Sequence, residues 1–259
     1  MSRPHQYIML VTSLPHLGKM FTRKEVPISE FRLKQRLSML RPDHLRLLRE
    51  LVEVTAWAGV ARYSLDSEVL RRAREVIGDL KDYPDLQHLV GARMETRTVI
   101  AALRRRRDGQ ETAGDIENWG FGRWCGRIAN HWSDPGLGLG NFMPWVAEAH
   151  RLMQSGNHIA MERLSLTQIF RQLDHYGMLH EFDFEAVAIY VLRWVIVERW
   201  SRYSEDAARE RLQLLVTAAL GGPNAPGGPS ELDGMAADEP PPGQGLFADA
   251  SSALQETLS

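Results

Sequence analysis

Apolar positions recur along this chain with a helical period over most of its length, and turn residues cut the pattern into segments. Ser29 caps a predicted helix over Glu30–Leu40, with Phe31, Leu33 and Leu37 apolar and Pro42 ending it. Asp43 opens a second, whose Leu45, Leu48, Leu51, Val52 and Trp57 lead to Gly59. A third opens at Ser64 or Asp66 and carries Val69, Leu70, Ala73, Val76, Ile77 and Leu80 in period. Pro84 suits a first helical position, and a fourth helix runs from it to about Arg107. Further helices are predicted over Phe121–Trp132, Pro144–Ser155 and His158–Tyr176, the last stopped by Gly177.

The strongest segment is Phe184–Tyr203, with Asp183 as its N-cap. Val187, Val191, Trp194 and Val195 share one face, while Ala188, Ile189, Leu192, Ile196 and Val197 make the rest apolar too. A helix apolar on all sides is a central one. Glu185, Arg193, Glu198, Arg199 and Arg202 argue against a membrane span, since charges at bilayer depth are costly. Glu198 and Arg202 stand four apart in the favourable order for an ion pair. Ser204 is expected to start a separate last helix, Glu205–Leu220. The one stretch that reads differently is Tyr7–Leu14, rich in β-formers and closed by Pro15, which predicts a short extended segment. The fold class is all-α, with about eight or nine helices, that extended N-terminal segment and a C-terminal tail.

The tail is where charge changes the picture. Residues 221–259 contain Glu231, Asp233, Asp238, Glu239, Asp249 and Glu256, no Lys or Arg, six Pro and seven Gly. That composition predicts a disordered acidic segment beside a helical domain over residues 1–220. The body holds all 31 basic residues and 27 acidic ones, a balance too mild for a nucleic-acid binder. Within it, Arg104, Arg105, Arg106 and Arg107 end the fourth helix, where the macrodipole favours cations. They read either as a solvated helix end or as a contact for an acidic partner or an anionic membrane surface.

Chemistry is sparse. Cys125 is the single cysteine, so an intramolecular disulfide and a multi-cysteine zinc site are both excluded. The nine His are scattered, with no H-E-x-x-H, and no P-loop occurs. Asn118–Trp145 concentrates four of seven Trp and six of 21 Gly, including a G-x-G-x-G run at Gly136, Gly138 and Gly140. The run lacks a preceding strand, so it predicts tight turns rather than a dinucleotide loop. The tryptophans are expected as core anchors, with an aromatic pocket around His131 and Cys125 as the alternative. Asp183 and Glu185 read as first-turn helix charges. No catalytic residue, cofactor or metal ligand is assigned. The N-terminal apolar run is too short to span, and no signal peptide is read, so cytoplasmic residence is expected.

Three motifs carry a resemblance. Tyr7-Ile-Met-Leu-Val-Thr-Ser-Leu-Pro15 resembles the opening "YYLV-x-SLP" of a bacterial family of unknown function encoded among V-type (A/V-type) ATP synthase genes. Val26-Pro-Ile-Ser-Glu-Phe31 resembles that family's "PPIS-x-EEF" segment. Phe184–Trp200 is similar to its "F-x-x-E-A-V-L-A-Y-x-L-K-L-x-I-L-E-R-W" pattern. The Gly-rich segment 133–143 and the long acidic tail depart from it. The resemblance implies a non-catalytic helical accessory or stalk subunit of an ion-translocating rotary ATPase, linking central stalk to membrane rotor as the C/d-type stalk proteins do. Its partners would be other V-type ATPase subunits. It would meet the inner face of the plasma membrane only peripherally, through that complex. An uncharacterised enzyme, or a regulatory adaptor acting through the tail, are the other readings.

Overall fold

The computed structural model describes residues 5–18, 20–21 and 26–220, and the side chains of these except 57, 58 and 203–220. In chain order the helices are α1 (Ile8–Ser13), α2 (Glu30–Leu37), α3 (Pro42–Thr55), α4 (Trp57–Val60), α5 (Asp66–Asp79) and α6 (Pro84–Arg107). A 3-10 turn at Ile116–Asn118 follows, then α7 (Cys125–Asn130), α8 (Trp145–Gln154), α9 (His158–Gly177) and α10 (Phe184–Leu220). No strand occurs among the described residues, and none of their helices is long and apolar enough to cross a membrane. The tail 221–259 lies outside the described residues.

Three expectations are corrected. Tyr7–Leu14 is helical, not extended: Tyr7 and Leu10, three apart, are both buried, and the Thr12 hydroxyl donates to the Ile8 carbonyl (2.7 Å). Packing on the core has overridden local β-propensity. The helix expected over Phe121–Trp132 shrinks to Cys125–Asn130. Gly122, at φ +90°, lies before it and breaks the pattern. Ser204 does not restart a helix, because α10 runs unbroken for 37 residues. Neither Pro nor Gly falls near Ser204, and a serine there costs only a few tenths of a kcal/mol (about 0.5) in helix propensity.

Two hydrophobic clusters form the interior. The first gathers α1–α3, α5, the first half of α6, the second half of α9 and the start of α10. The second gathers the end of α6, the 3-10 turn, α7, α8 and the start of α9. Helices α6 and α9 pass through both. The all-round apolar α10 is buried at Phe184, Val187, Ala188, Ile189, Val191, Leu192, Trp194, Ile196 and Val197. It packs on α9, α3 and α1, as a helix without a polar face must. Its cap is the predicted one: Asp183 accepts from the Ala186 N–H (2.9 Å). Trp194 donates its indole N–H to the Ile28 carbonyl (2.9 Å), tying the approach to α2 onto α10. Tyr83, just before α6, meets Phe184 (centroids 5.1 Å apart), and further along both helices Arg93 shares a cavity lining with Leu192, Val195 and Ile196. Helices α6 and α10 therefore run in the same direction. Helix α9 returns antiparallel, its Asp174 paired with Arg193 and its Glu162 with Arg199.

Candidate functional site

Consecutive helical residues point about 100° apart, so four in a row cannot face one partner. The arginine run shows this. Arg105 pairs with Asp66 (3.2 Å) and lies 4.6 Å over the Trp119 ring. Arg106 turns inward and donates to the Trp132 carbonyl (2.9 Å), the Asp134 carbonyl and the His150 ring (2.8 Å to Nδ1). Arg107 pairs with Asp108 (3.0 Å). Arg104 is exposed and makes no side-chain hydrogen bond or ion pair among the described residues.

A different arginine set does converge. Arg93, Arg97 and Arg104, at i, i+4 and i+11, fall within an arc of about 40° on α6. Arg199 of α10 faces the same region, bonded to Glu162 of α9 (2.7 Å). Arg93 is buried and donates to the Thr55 carbonyl (3.1 Å). Burial, then the charges of Arg97 and Arg199, push its guanidinium down to about 9, with Glu162 opposing. Burial also lowers Arg97, against the pull of Asp66. Arg104 is exposed. A cavity of about 30 Å³, mostly apolar, lies beside Arg93 between α3, α6, α9 and α10.

In the Trp/Gly-rich segment Trp119 and Trp132 are interior, Trp124 and Trp145 are half-buried, and Phe142 is exposed. Trp119 and Trp132 are buried edge to face (6.3 Å). Their indole N–H groups donate to the carbonyls of Ala113 (3.2 Å) and Gln110 (2.8 Å). Gly138, at φ +70°, meets the His131 ring, where a Cβ would come within 2.7 Å. Its N–H donates to the Asp134 carboxylate (2.7 Å), so the G-x-G-x-G run forms a tight side-chain-closed turn. Burial pushes the Cys125 thiol up, the opposite of an activated nucleophile. His131 contacts the Arg127 carbonyl (3.0 Å) through Nδ1. Outside this core, an open groove of about 570 Å³ runs along Ser64, Asp66, Ser67, Arg105, Gln110 and Trp119. Its lining mixes both charges and offers no converging set of donors.

The start of α10 holds a polar network that the spacing of residues did not reveal. His44 is buried between two phenols, with Tyr7 Oη 2.7 Å from Nδ1 and Tyr83 Oη 2.8 Å from Nε2. Its ring lies against Phe184 (4.4 Å). Burial lowers its pKa, and the neutral ring suits two hydroxyl partners. Nearby, His180 bridges Asp183 (2.8 Å from Nδ1) and Asp85 (3.1 Å from Nε2). Burial pulls His180 down, but the bonds to Asp183 and Asp85 and the charges of Asp183 and Glu185 outweigh it and raise its pKa. His180, Asp183 and Glu185 bring one donor atom each within 4.8 Å of one another, the spacing of a metal site. Both ring nitrogens of His180 are engaged by carboxylates, Nδ1 by Asp183 and Nε2 by Asp85. The cluster is satisfied as an ion-pair network that joins α6 to the cap of α10.

One end of the body is apolar outside. Met178 and Leu179, in the α9–α10 link, are 77% and 62% exposed. The Tyr7 N–H donates to the Phe182 carbonyl (2.8 Å), which places exposed Ile8 and Met9 of α1 beside that link. Met39 is exposed at the same end, two residues before Arg41, whose N–H reaches the Tyr7 hydroxyl (3.3 Å). Compared with protein-family models, with curated proteins and with solved structures, the chain matches none.

Proposed function

We propose that the chain is a non-catalytic accessory or stalk subunit of a V-type ion-translocating rotary ATPase, as its sequence resemblance implies. The observation that supports an assembly role is the exposed Met/Leu end, Met9, Met178 and Leu179 with Ile8, on a body whose interior is otherwise filled. Methionine is enriched at protein interfaces and adapts its shape to a partner. That end is the natural place for a helical partner or the rotor side of a stalk. In the Trp/Gly-rich segment, the region of the alternative enzyme pocket, Trp119 and Trp132 pack into the second cluster, which fits a core role for them.

The test is co-purification. Tagged chain from cells that express the ATPase brings down the A and B subunits under mild detergent. Met178→Glu with Leu179→Glu, on a chain of unchanged helix content, lowers that recovery at least about tenfold, as expected for loss of a central apolar contact. ATPase isolated intact without this chain under the same conditions would refute the reading.

A further inference from the structure

We infer that the outer face of the α1–α2 layer, carrying Met9, Phe31, Arg32 and Met39, docks on the surface of an anionic lipid bilayer. The inference goes beyond the rotary-ATPase reading and does not rest on it.

Helices α1 and α2 lie side by side and antiparallel on the flank of α10. The Tyr7 N–H donates to the Phe182 carbonyl (2.8 Å) and the Tyr190 hydroxyl to the Pro15 carbonyl (2.8 Å), so α1 follows α10 from its start. The chain returns from the bond between Trp194 and Ile28, and Arg36 of α2 donates to the Ser13 carbonyl at the end of α1. Arg41 completes the return at the Tyr7 hydroxyl (3.3 Å). Both helices turn buried side chains to one core, Leu10 from α1 and Leu33 and Leu37 from α2. Their opposite sides therefore form one outer surface. On α1, Ile8, Met9 and Thr12 are exposed within an arc of about 100°. On α2, Phe31, Arg32 and Gln35 do the same, and exposed Met39 follows in the turn that ends the helix. Phe31 is 77% exposed and Met9 76%. Apolar side chains clustered this far out of the core mark a contact surface.

Charge selects the occupant. Residues 26–46 hold five Lys and Arg against two carboxylates, whereas residues 47–202 hold 20 against 21. Both carboxylates are taken, Glu30 by Lys34 (3.0 Å) and Asp43 by Arg41 (2.7 Å). Arg32, Arg36 and Arg46 have no acidic partner among the described residues. Each cation near an anionic membrane surface strengthens binding about fivefold, so three supply about a hundredfold. A purely acidic ligand would satisfy these cations and leave Met9, Phe31 and Met39 in water. A bilayer answers both features. Apolar tips on a convex helical crest enter the boundary between headgroups and acyl chains, while guanidinium groups stay among the phosphates. Met9 stands where this face meets the Met178–Leu179 end, which stays open to a protein partner.

Vesicle co-sedimentation of the full chain tests this, with phosphatidylcholine vesicles alone or carrying about 30% phosphatidylglycerol. Binding is expected to be at least about tenfold tighter to the anionic vesicles, and to fall about tenfold between about 0.05 and 0.5 M salt. Phe31→Ser and Arg32→Glu should each lower it at least about fivefold at unchanged helix content. Leu65→Ser and Arg123→Glu, at exposed apolar and basic positions on other elements, are the controls and should stay within about twofold of wild type. Only lipid and this chain are present, so the outcome is separate from co-purification with ATPase subunits. Equal binding to neutral and anionic vesicles, or equal losses in the controls, would overturn the proposal. Absence of vesicle binding would overturn it too, and if Arg32→Glu then abolished recovery of a protein partner, the face would belong to that protein.

Discussion

Arg106→Ala and Arg107→Ala are adjacent and chemically identical changes, yet they should differ widely. Arg106 donates to two backbone carbonyls of the α7–α8 loop, those of Trp132 and Asp134, and to His150 of α8. Removing it strips partners from acceptors at the edge of the second core. A hydrogen bond from a charged donor contributes about 1.5–3 kcal/mol, and several on one side chain do not add fully. Discounting for the partly exposed site, the expected loss is about 2–3 kcal/mol. For a body of this size that corresponds to a melting-point drop of about 5–10 °C. Among the described residues Arg107 pairs with exposed Asp108 alone, a contact worth about 0–1 kcal/mol. Urea unfolding followed by tryptophan fluorescence is the assay, since Trp119 and Trp132 sit in the affected core. Arg106→Lys should recover only part of the loss, because an ammonium cannot span the three acceptors. Losses within about 0.5 kcal/mol of each other for the two alanine variants would refute the assignment of Arg106 as an interior strut.

Three further outcomes follow from the geometry. His180→Gln should destabilise by about 1.5–3 kcal/mol at pH 5.5. Because the folded His180 pKa lies above the ordinary 6.5, its contribution is complete below 6.5 and is lost as pH rises through the folded value. Wild type and variant should therefore converge by alkaline pH in denaturant melts, and a pH-independent gap would refute the ion-pair network. Gly138→Ala should cost about 1–3 kcal/mol, since it combines a positive φ with a Cβ against the root of the His131 ring; a neutral effect in thermal melts would count against the turn. Trp194→Phe removes the bond to the Ile28 carbonyl in a fully buried site, and calorimetry should show a loss of about 1.5–3 kcal/mol, with Leu192→Met below about 1.5 kcal/mol as the volume-conserving reference.

What the sequence made legible was whatever a local rule governs. The caps at Ser29 and Asp183, the Pro84 start and the length of α6 all follow from backbone groups that must be satisfied within one turn. Tyr7–Leu14 was not legible, because its conformation is decided by Tyr7 reaching His44, 37 residues away, and Phe182 beyond that. Nor was the His180–Asp85 contact, which spans 95 residues of sequence and depends on how α6 and α10 stand side by side. Single-chain patterning carries no information on such pairs.

The arginines make the point most sharply, because the relevant pattern was local and still escaped. Arg104–Arg107 drew attention as a run, but on a helix a run distributes its charges around the axis. The structure sends one to Asp66, one into the α7–α8 loop, one to Asp108 and one to open solvent. Arg93 and Arg97 stand apart from that run in the sequence. Counted at 3.6 residues per turn they share a face with Arg104, and tertiary packing adds Arg199 from a helix more than 90 residues later. Electrostatic potential depends on where guanidinium groups converge, not on their density in sequence.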